Sequence, residues 1–461
     1  MSDEKQGLKE LEAVAAGLVE RAIKAGASDA EVVIREGSEF NVQVRLGEVE
    51  TLKQAGARSI GLRVLLGNRS ASSATSDFSA DSLDSLVTSA MQLAKLTEED
   101  PCVGLPEREA FGSYAGDLHL YDPEIESLTP AERIDWARRA ESAALACDKR
   151  LTNSDGGSFE LVTGSKTLAN SRGFVGSYRG TSAGVAAAPV AVEEDGRMQR
   201  DGWWSSARRL TDLESPEEVG REAARRTIRR LGARRVPTQQ VPLVFAPEVA
   251  RSLVGSLYEA LSGDAIWRGA SFLAGKMGEQ IATPALTLID DGTLILPNGM
   301  GGFGSRPFDG EGLPIRRTVL IEKGELKSWL LNSYAARKLG LSSTHNAARG
   351  LAGAPGIGCS NLYLEAGNQS PQEIISAIQK GLYVTGLMGF GVNVVTGDYS
   401  RGATGLWIEN GELTHAVEEV TVAGNLASIF QQITAIGNDL EFRGSVASPT
   451  LRIDGMTIAG S

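Results

Sequence analysis

Apolar residues recur at helical spacing in several segments of this chain. Between residues 7 and 26 they return every three or four positions, and Gly26 is placed as a C-terminal stop. The same spacing predicts helices over residues 79–96, 130–147 and 247–261. The remaining predicted helices span residues 220–235, 371–379 and 425–434.

Alternating or continuous apolar runs predict strands between these helices. Residues 30–34, 40–44, 49–54 and 59–66 indicate a β-meander followed by a further strand. The Gly- and Ser-rich segment 159–192 predicts twisted hairpins, Asn410-Gly411 is a hairpin signal, and residues 450–459 predict the last strand. The pattern is typical of an α+β fold.

The order of these elements predicts two domains. A mixed α/β domain is expected over residues 1–235, and a domain dominated by antiparallel β-sheet over residues 236–461. A chain of 461 residues is about three times the usual domain length of ~150 residues, which β-rich domains often exceed. Residues 232–242 are the predicted junction.

Composition and charge narrow the class of protein. The chain is 42% apolar and 23% charged, as in ordinary globular proteins, and its formal charge of −12 argues against nucleic acid as a direct partner. Its three cysteines form neither a C-x-x-C pair nor a disulfide framework, which fits a reducing compartment. Residues 1–12 lack the apolar core of a signal peptide, and the longest apolar run, 183–192, is too short to span a membrane. We therefore expect a cytoplasmic protein that is not embedded in a membrane.

Two motifs have both a functional and a structural interpretation. Residues 220–235 contain seven arginines, which form either an anion-binding face or, as we prefer, a solvated helix near a domain boundary. Residues 299–304 match G-x-G-x-x-G, but no strand precedes this motif and no helix follows it. We therefore favour a flexible or surface loop over a nucleotide site.

The segment from Val392 to Glu412 carries a family resemblance. It reads V-N-V-V-T-G-D-Y-S-R-G-A-T-G-L-W-I-E-N-G-E and resembles the TldD/TldE (PmbA) family of peptidase subunits. The sequence similarity continues at residues 422–426 and 436–439, and the chain is closer to the TldE (PmbA) branch. The resemblance implies a subunit that pairs with a TldD-like protein around a narrow channel, with zinc on the TldD side. It also implies cleavage of unfolded peptides, including leader peptides.

The same resemblance locates the position of a metal motif. TldD-type proteins carry H-E-x-x-x-H on the helix that corresponds to residues 247–261, where two imidazoles bind zinc and the glutamate polarises water. Alignment on the shared L-x-G-D ending places Val254, Gly255 and Glu259 at the His, Glu and His positions. Residues 444–461 also lack the metal-binding cysteine of that branch. We expect no metal in this chain and zinc in the partner subunit.

The other candidate ligands are isolated. His119, His345 and His415 each lack a second His or Cys at metal-motif spacing. A His345–Cys359 pair is an alternative to a loop histidine, and Glu259 is either a lone ligand or, as we prefer, a carboxylate on the helix surface.

The best polar cluster is Asp398, Tyr399, Ser400 and Arg401. These residues form either a wall of a peptide channel or a hydrogen-bonded turn with an Arg–carboxylate pair. The predicted function is a non-catalytic subunit of a zinc metalloprotease complex, with an exposed sheet edge that accepts an unfolded peptide. The alternatives are a self-sufficient homodimeric peptidase with an atypical site at this cluster, and a peptide-binding scaffold protein.

Overall fold

The computed structural model describes residues 2–460, with side chains from residue 6 onward. Its helices are α1 Ser2–Lys24, α2 Ala80–Leu96, α3 Pro130–Leu145, α4 Pro216–Ile228, α5 Pro247–Leu261, α6 Gly263–Trp267, α7 Ser333–Leu339, α8 Pro371–Ser376 and α9 Leu426–Gln431. Strands up to residue 207 are β1 Asp29–Arg45, β2 Glu48–Leu66, β3 Arg69–Thr75, β4 Leu151–Asn170, β5 Val175–Val192, β6 Met198–Arg200 and β7 Trp203–Ala207. Later strands are β8 Gln239–Gln240, β9 Leu243–Phe245, β10 Leu288–Asp291, β11 Arg317–Glu322, β12 Glu325–Leu326, β13 Ala347–Ala348, β14 Gly356–Ile357, β15 Leu362–Leu364, β16 Lys380–Met388, β17 Val392–Asn393, β18 Asp398–Glu409, β19 Glu412–Asn425, β20 Ile433–Ile436, β21 Val446–Ala447, β22 Leu451–Ile453 and β23 Thr457–Ala459.

Strands β1 to β7 form one antiparallel sheet. Its order is β3-β2-β1-β4-β5-β6, and β7 also pairs with β5. Helices α1 and α2 pack around Val32 and Ile34, and helices α3 and α4 pack around Phe40 and Val42. These residues alternate along β1, so both helix pairs cover the same face of the sheet and leave its middle open between them.

The meander predicted from short apolar runs is wrong in its strand lengths. Residues 30–34 and 40–44 belong to the single strand β1, and residues 49–54 and 59–66 belong to the single strand β2. Polar residues 35–39, which suggest a loop in the sequence, lie in the open middle of the sheet and stay paired on both sides. A strand without a covering layer needs no apolar alternation, so its hydrophobic pattern is interrupted.

The second part of the chain is built around two further sheets. A nine-stranded sheet has the order β20-β22-β9-β16-β18-β19-β23-β8 with β17 on β18, and a five-stranded sheet has the order β12-β11-β10-β15-β21, both counted over residues 2–460. Most pairs are antiparallel, although β9 is parallel to β16 and β15 to β21. Helix α5 lies in the main hydrophobic core, where Leu253 and Leu257 are fully buried. The architecture is α+β, as the sequence predicts.

Turn chemistry explains the long hairpin of β18 and β19. Asn410 and Gly411 have φ values of 52° and 81°, which is the left-handed pair that a two-residue hairpin turn requires. The hairpin prediction is therefore confirmed. The predicted last strand over residues 450–459 is instead two strands, β22 and β23, separated by a turn at Gly455 with φ of 89°.

The arginine-rich segment joins the two parts of the protein. Helix α4 ends at Ile228, and Arg226 is buried with its Nη1 2.7 Å from Oε1 of Glu248 on α5. Arg230 donates to Thr404 Oγ1 at 3.3 Å, and Arg235 pairs with Glu419. The solvated-helix interpretation is therefore wrong for Arg226, which is buried against α5, whereas Arg235 is exposed and agrees with it. The boundary at residue 235 itself stays a prediction.

No described helix combines the length and the apolar character that a membrane crossing requires.

Candidate functional site

Helix α5 places the three motif positions in different surroundings. Val254 is fully buried in the core, whereas Glu259 is exposed to solvent. Gly255 has open space where a Cβ would stand, so no neighbour forces a glycine at this position. Tyr258 Oη donates to the carbonyl oxygen of Ile357 at 2.9 Å and ties the helix to strand β14.

These residues do not fit a zinc site. A catalytic zinc ion takes three protein ligands and keeps one position open for water. Of the three motif positions, Glu259 alone carries a side chain that can bind a metal. Across the part of the protein that the structure describes, no group of three or more His, Cys, Asp or Glu side chains is arranged to hold a metal ion.

The polar cluster 398–401 lies at the start of strand β18. Asp398 and Ser400 are exposed, Tyr399 is buried in the main core, and burial raises the pKa of its hydroxyl. Arg401 Nε donates to the carbonyl oxygen of Gly389 at 3.0 Å, whereas Asp398 accepts from the Thr396 hydroxyl at 2.6 Å. The turn interpretation expects Arg401 to pair with a carboxylate. In the structure Arg401 and Asp398 each make one of these two other contacts instead.

The loop that precedes this cluster exposes large apolar side chains. Phe390 is fully exposed, and Met388 and Val395 are more than half exposed. The loop is held by two backbone hydrogen bonds, from Ser400 N to Gly391 O and from Phe272 N to Val394 O. Adjacent exposed apolar side chains on a held loop are typical of a protein–protein contact. We call residues 388–395 the apolar loop.

The isolated histidine and cysteine side chains have structural surroundings. His345 Nδ1 lies 2.7 Å from the carbonyl oxygen of Pro314, and burial lowers the pKa of this imidazole. Cys359 packs against the main core, and burial raises the pKa of its thiol to about 12. Nothing here supports the alternative of a His345–Cys359 metal pair.

The G-x-G-x-x-G segment is packed rather than flexible. Arg208 on the sheet side donates to the carbonyl oxygens of Gly301, Gly302 and Phe303, each at 2.9 Å. A Cβ at Gly304 would lie 2.1 Å from the carbonyl oxygen of Ser360, so backbone approaches backbone there. The expectation of a flexible or surface loop is wrong for Gly301, Gly302 and Gly304, where a Cβ would lie within 2.6 Å of a neighbouring atom, whereas Gly299 is exposed with open space around it.

A cleft of about 1090 Å³ lies between the sheet and the β-rich part. Its floor is the face of the sheet opposite to the helices, formed by the middle of β1, β2, β4 and β5. Its roof is residues 347–351, and Arg306 lies at its side. The sequence does not predict this cleft, because its floor is formed by polar and glycine residues that suggest loops.

Buried carboxylates hold the roof in place. Asp309 accepts from the backbone N–H groups of Glu311 and Ala347, at 2.8 and 3.1 Å, and Glu311 accepts from Ser333 Oγ at 2.7 Å. Burial raises the pKa of both carboxyl groups, and Asp309 helps to raise that of Glu311 to about 7. Glu31 on β1 pairs with Arg349 in the roof, which fastens the roof to the sheet.

Strand β2 presents a free edge beside this cleft. Strand β3 pairs with residues 60–66 of β2, so within the described residues the segment 48–59 pairs with β1 alone. Residues 48–58 are all exposed, including Val49 and Leu52. Unpaired backbone groups along an exposed strand can accept another extended chain. The hairpin-rich second half of the sequence suggests such an edge there, whereas this edge lies on β2 in the first half.

By its similarity to known proteins, this α+β chain belongs to a class of metallopeptidases. Three models of one family match it: PmbA/TldA metallopeptidase domain 1 over residues 30–94, the central domain over 123–231 and the C-terminal domain over 238–460. The chain belongs to the PmbA/TldE family.

Individual relatives agree with this assignment. The chain is 38% identical to "Metalloprotease PmbA" of Escherichia coli O157:H7 over 95% of this chain and 94% of that protein. It is 33% identical to a PmbA homolog of Haemophilus influenzae, over 98% and 97% of the two proteins. A crystal structure from Bacteroides thetaiotaomicron, described as a candidate modulator of DNA gyrase, superposes with a TM-score of 0.89 at 28% identity and covers 98% of this chain and 99% of its own. TldE of Thermococcus kodakarensis, at 24% identity and a TM-score of 0.87 over 97% and 100% of the two proteins, shares the fold.

Proposed function

We propose that this protein is the non-catalytic, TldE/PmbA-like subunit of a TldD/TldE-type zinc metalloprotease complex that cleaves unfolded or leader peptides. The observation that carries the proposal is helix α5, where Val254 is buried in the core and Gly255 has no side chain. Neither the first zinc ligand nor the general base of the motif can come from these positions. Zinc and the attacking water would then belong to a TldD-like partner.

Two surfaces support a role in assembly and peptide binding. The apolar loop, with Phe390 fully exposed, is suited to contact the partner subunit. The free edge of β2, residues 48–59, is suited to an extended peptide, because strand addition uses backbone hydrogen bonds that a folded substrate cannot offer. A protease for unfolded substrates has to recognise the peptide backbone, and strand addition does this.

The first experiment compares this protein alone with this protein co-expressed with the TldD-type protein of the same genome. Bound zinc is measured by mass spectrometry of the metal, and cleavage is measured on an unstructured peptide. We expect zinc and cleavage only with the partner present. A Glu259→Gln variant should leave the zinc content of the complex unchanged, since this carboxylate is exposed on its own helix.

The same experiment separates the alternatives. Cleavage by this protein alone in excess chelator would favour a self-sufficient peptidase. Peptide binding that never leads to cleavage with any partner would favour a scaffold protein. Either result contradicts the proposal.

The partner surface is tested by Phe390→Asp in the apolar loop. We expect the dissociation constant of the complex to rise by at least about tenfold, because a charge replaces an apolar contact. The matched control is Leu413→Asp, at an apolar residue of β19 that is 41% exposed. Equal weakening by both variants would contradict a specific role for the loop.

The peptide edge is tested by hydrogen exchange in the assembled complex. Within residues 48–59, the alternate amides that point away from β1 should exchange more slowly after an uncleaved peptide is added, since strand addition pairs their free N–H groups. Unchanged exchange along this edge in a complex that binds the peptide would exclude it as the peptide site.

A further inference from the structure

Residues without long side chains line up across the floor of the cleft. Ala57, Gly37, Gly164 and Gly180 are direct neighbours on β2, β1, β4 and β5. Adjacent strands lie about 4.8 Å apart, so this row crosses about 14 Å of the sheet. An extended peptide rises about 3.3 Å per residue, so about four residues would cover the same distance. The floor is therefore a shallow furrow of the size of a short extended segment.

One side of the furrow is cationic. The neighbouring row on the same face places Arg35, Lys166 and Tyr178 side by side. In all, the cleft is lined by six cationic side chains and two carboxylates, although the whole protein carries a net charge of −12. The six are Arg35, Lys53, Lys166, Arg208, Arg306 and Arg349. A positive cleft on an acidic protein concentrates anions.

Half of these cations already have partners. Lys53 pairs with Glu39 and Arg349 pairs with Glu31. Arg208 is occupied by backbone carbonyl oxygens, including three of the glycine-rich segment. These three side chains therefore belong to the structure of the cleft walls.

The other three cations have no ion-pair partner among the described residues. Arg35 donates to the backbone carbonyl of Arg349, and Nη2 of Arg306 is buried without a hydrogen-bond partner. Burial, with Arg35 and Arg306 nearby, lowers the pKa of Lys166 to about 7. The Asp309 carboxylate, which holds the roof, opposes the lowering of the Lys166 pKa, but its oxygens accept the backbone N–H groups of Leu313 and Ala347.

We propose that this cleft binds a carboxylate of an extended peptide, with the peptide backbone in the glycine furrow and the carboxylate at Arg35, Lys166 and Arg306. The inference rests on the proposed function, because it assigns this subunit its own part in peptide recognition. A carboxylate satisfies the free guanidinium N–H groups of Arg306 and compensates the three adjacent positive charges.

The shape of the cleft favours a peptide over a small oxyanion. A phosphate ion would fill only a small part of about 1090 Å³, and it would leave the furrow empty. The carboxylate has two sources, the C-terminus of the peptide or an Asp or Glu residue within it. The furrow accommodates both, so the test must distinguish them.

Binding is measured by fluorescence anisotropy with labelled Gly/Ser peptides and this protein alone. One peptide has a free C-terminal carboxylate, the second has an internal Asp and an amidated C-terminus, and the third is amidated and neutral. Inorganic phosphate serves as a competitor. We expect at least one carboxylate peptide to bind about tenfold more tightly than the neutral one, and the stronger of the two identifies the source.

Variants locate the site. Lys166→Met and Arg306→Met should each weaken carboxylate binding about tenfold. Gly164→Val should weaken it by filling the furrow, and a Cβ at Gly164 meets its nearest neighbour at 3.5 Å, so the fold should tolerate the change. The matched control is Arg58→Met on β2, which points to the other face and should change binding by less than about twofold.

Three outcomes would overturn the inference: equal binding of the neutral peptide, displacement of the carboxylate peptide by phosphate at equal concentration, or unchanged binding in Gly164→Val together with Arg306→Met. Thermal unfolding of each variant shows whether the fold is retained. If carboxylate binding fails while the complex with the TldD-like partner still cleaves peptides, the cleft is not a carboxylate site and the proposed function stands. If the cleft binds a carboxylate but the complex shows no zinc-dependent cleavage, the proposed function is rejected and the carboxylate site is kept.

Discussion

The buried ion pairs at Glu31 should contribute strongly to the stability of this protein. Glu31 Oε1 lies 2.7 Å from Nη1 of Arg63 and also pairs with Arg349, and at most 5% of each of the three side chains is exposed. Arg349 belongs to the roof, so the triad fastens the β-rich part to the sheet. Glu31→Gln removes the single anion and leaves two buried guanidinium groups without it.

The expected loss follows from the cost of an uncompensated buried charge. Breaking a buried ion pair by removing one partner costs about 3–5 kcal/mol, and the glutamine amide can still accept a hydrogen bond, so we expect about 3 kcal/mol for Glu31→Gln. The matched control is Glu36→Gln on the same strand. Its partner Arg58 lies 3.8 Å away and both side chains are more than 40% exposed, so the cost should stay below about 1 kcal/mol.

The assay is urea unfolding followed by circular dichroism, with the slope of each transition checked against the wild type. Burial opposes ionisation of Glu31, but Arg349 and Arg63 more than offset it and hold the pKa of this carboxyl below its usual value of 4.5. The stabilisation is therefore complete above pH 4.5 and is lost as pH falls through the lower folded-state pKa. The difference between wild type and Glu31→Gln should shrink in that acidic range.

A Glu31→Gln variant no less stable than Glu36→Gln would refute this reasoning. A triple change to apolar residues, Glu31→Leu with Arg63→Met and Arg349→Met, should recover much of the loss, because no buried charge is left unpaired. If the triple variant is less stable than Glu31→Gln, packing rather than charge compensation explains the effect.

Three further predictions concern single positions. Lys166→Met should stabilise the protein more at pH 6.5 than at pH 9 in urea unfolding. Burial lowers the pKa of Lys166 from 10.5 to about 7, so the folded state carries the full cost of a buried charge only below pH 7, and this cost falls as pH rises towards 10.5. Gly61→Ala should cost about 2 kcal/mol in the same assay, because its Cβ would lie 1.7 Å from a roof carbonyl oxygen, whereas Gly56→Ala, with 3.9 Å of space, should cost far less. In the native protein, a disulfide reagent should label exposed Cys147 well before Cys359, whose thiol has a pKa of about 12.

Each of these predictions has a contrary result. An equal effect of Lys166→Met at both pH values would mean that the lysine is not desolvated. Equal costs at Gly61 and Gly56 would mean that the roof moves freely away from the sheet. Labelling of Cys359 as fast as Cys147, mapped by mass spectrometry, would mean that the core around it opens readily.

Local elements of the fold could be predicted because their signals lie within a few residues. Helix α5 begins at Pro247 and ends at Leu261, as its apolar spacing and the following glycine predict. The turn at Asn410 and Gly411 follows from the backbone angles that these two residue types tolerate. The absence of a histidine at position 254 and of a glutamate at position 255 is likewise visible in the sequence, since it is a matter of residue type.

The strand lengths and the cleft could not be predicted in this way. The polar stretch 35–39 suggests a loop, and it is a strand because neighbouring strands pair with it on both sides. Gly37 and Gly164 become neighbours through the pairing of strands more than a hundred residues apart. The sequence does not show this register, because it depends on how the whole sheet packs.

Residue type and near-neighbour spacing thus specify most of the helices, the turn at Asn410 and Gly411, and the residue types at the motif positions of α5. The glycine furrow, the three unpaired cations and the Glu31–Arg349 contact exist only once distant segments of the described structure meet. Their physical cause is long-range. Strand register aligns the glycines, and burial between two packed parts of the protein makes an uncompensated positive charge costly, so that an anion stabilises it.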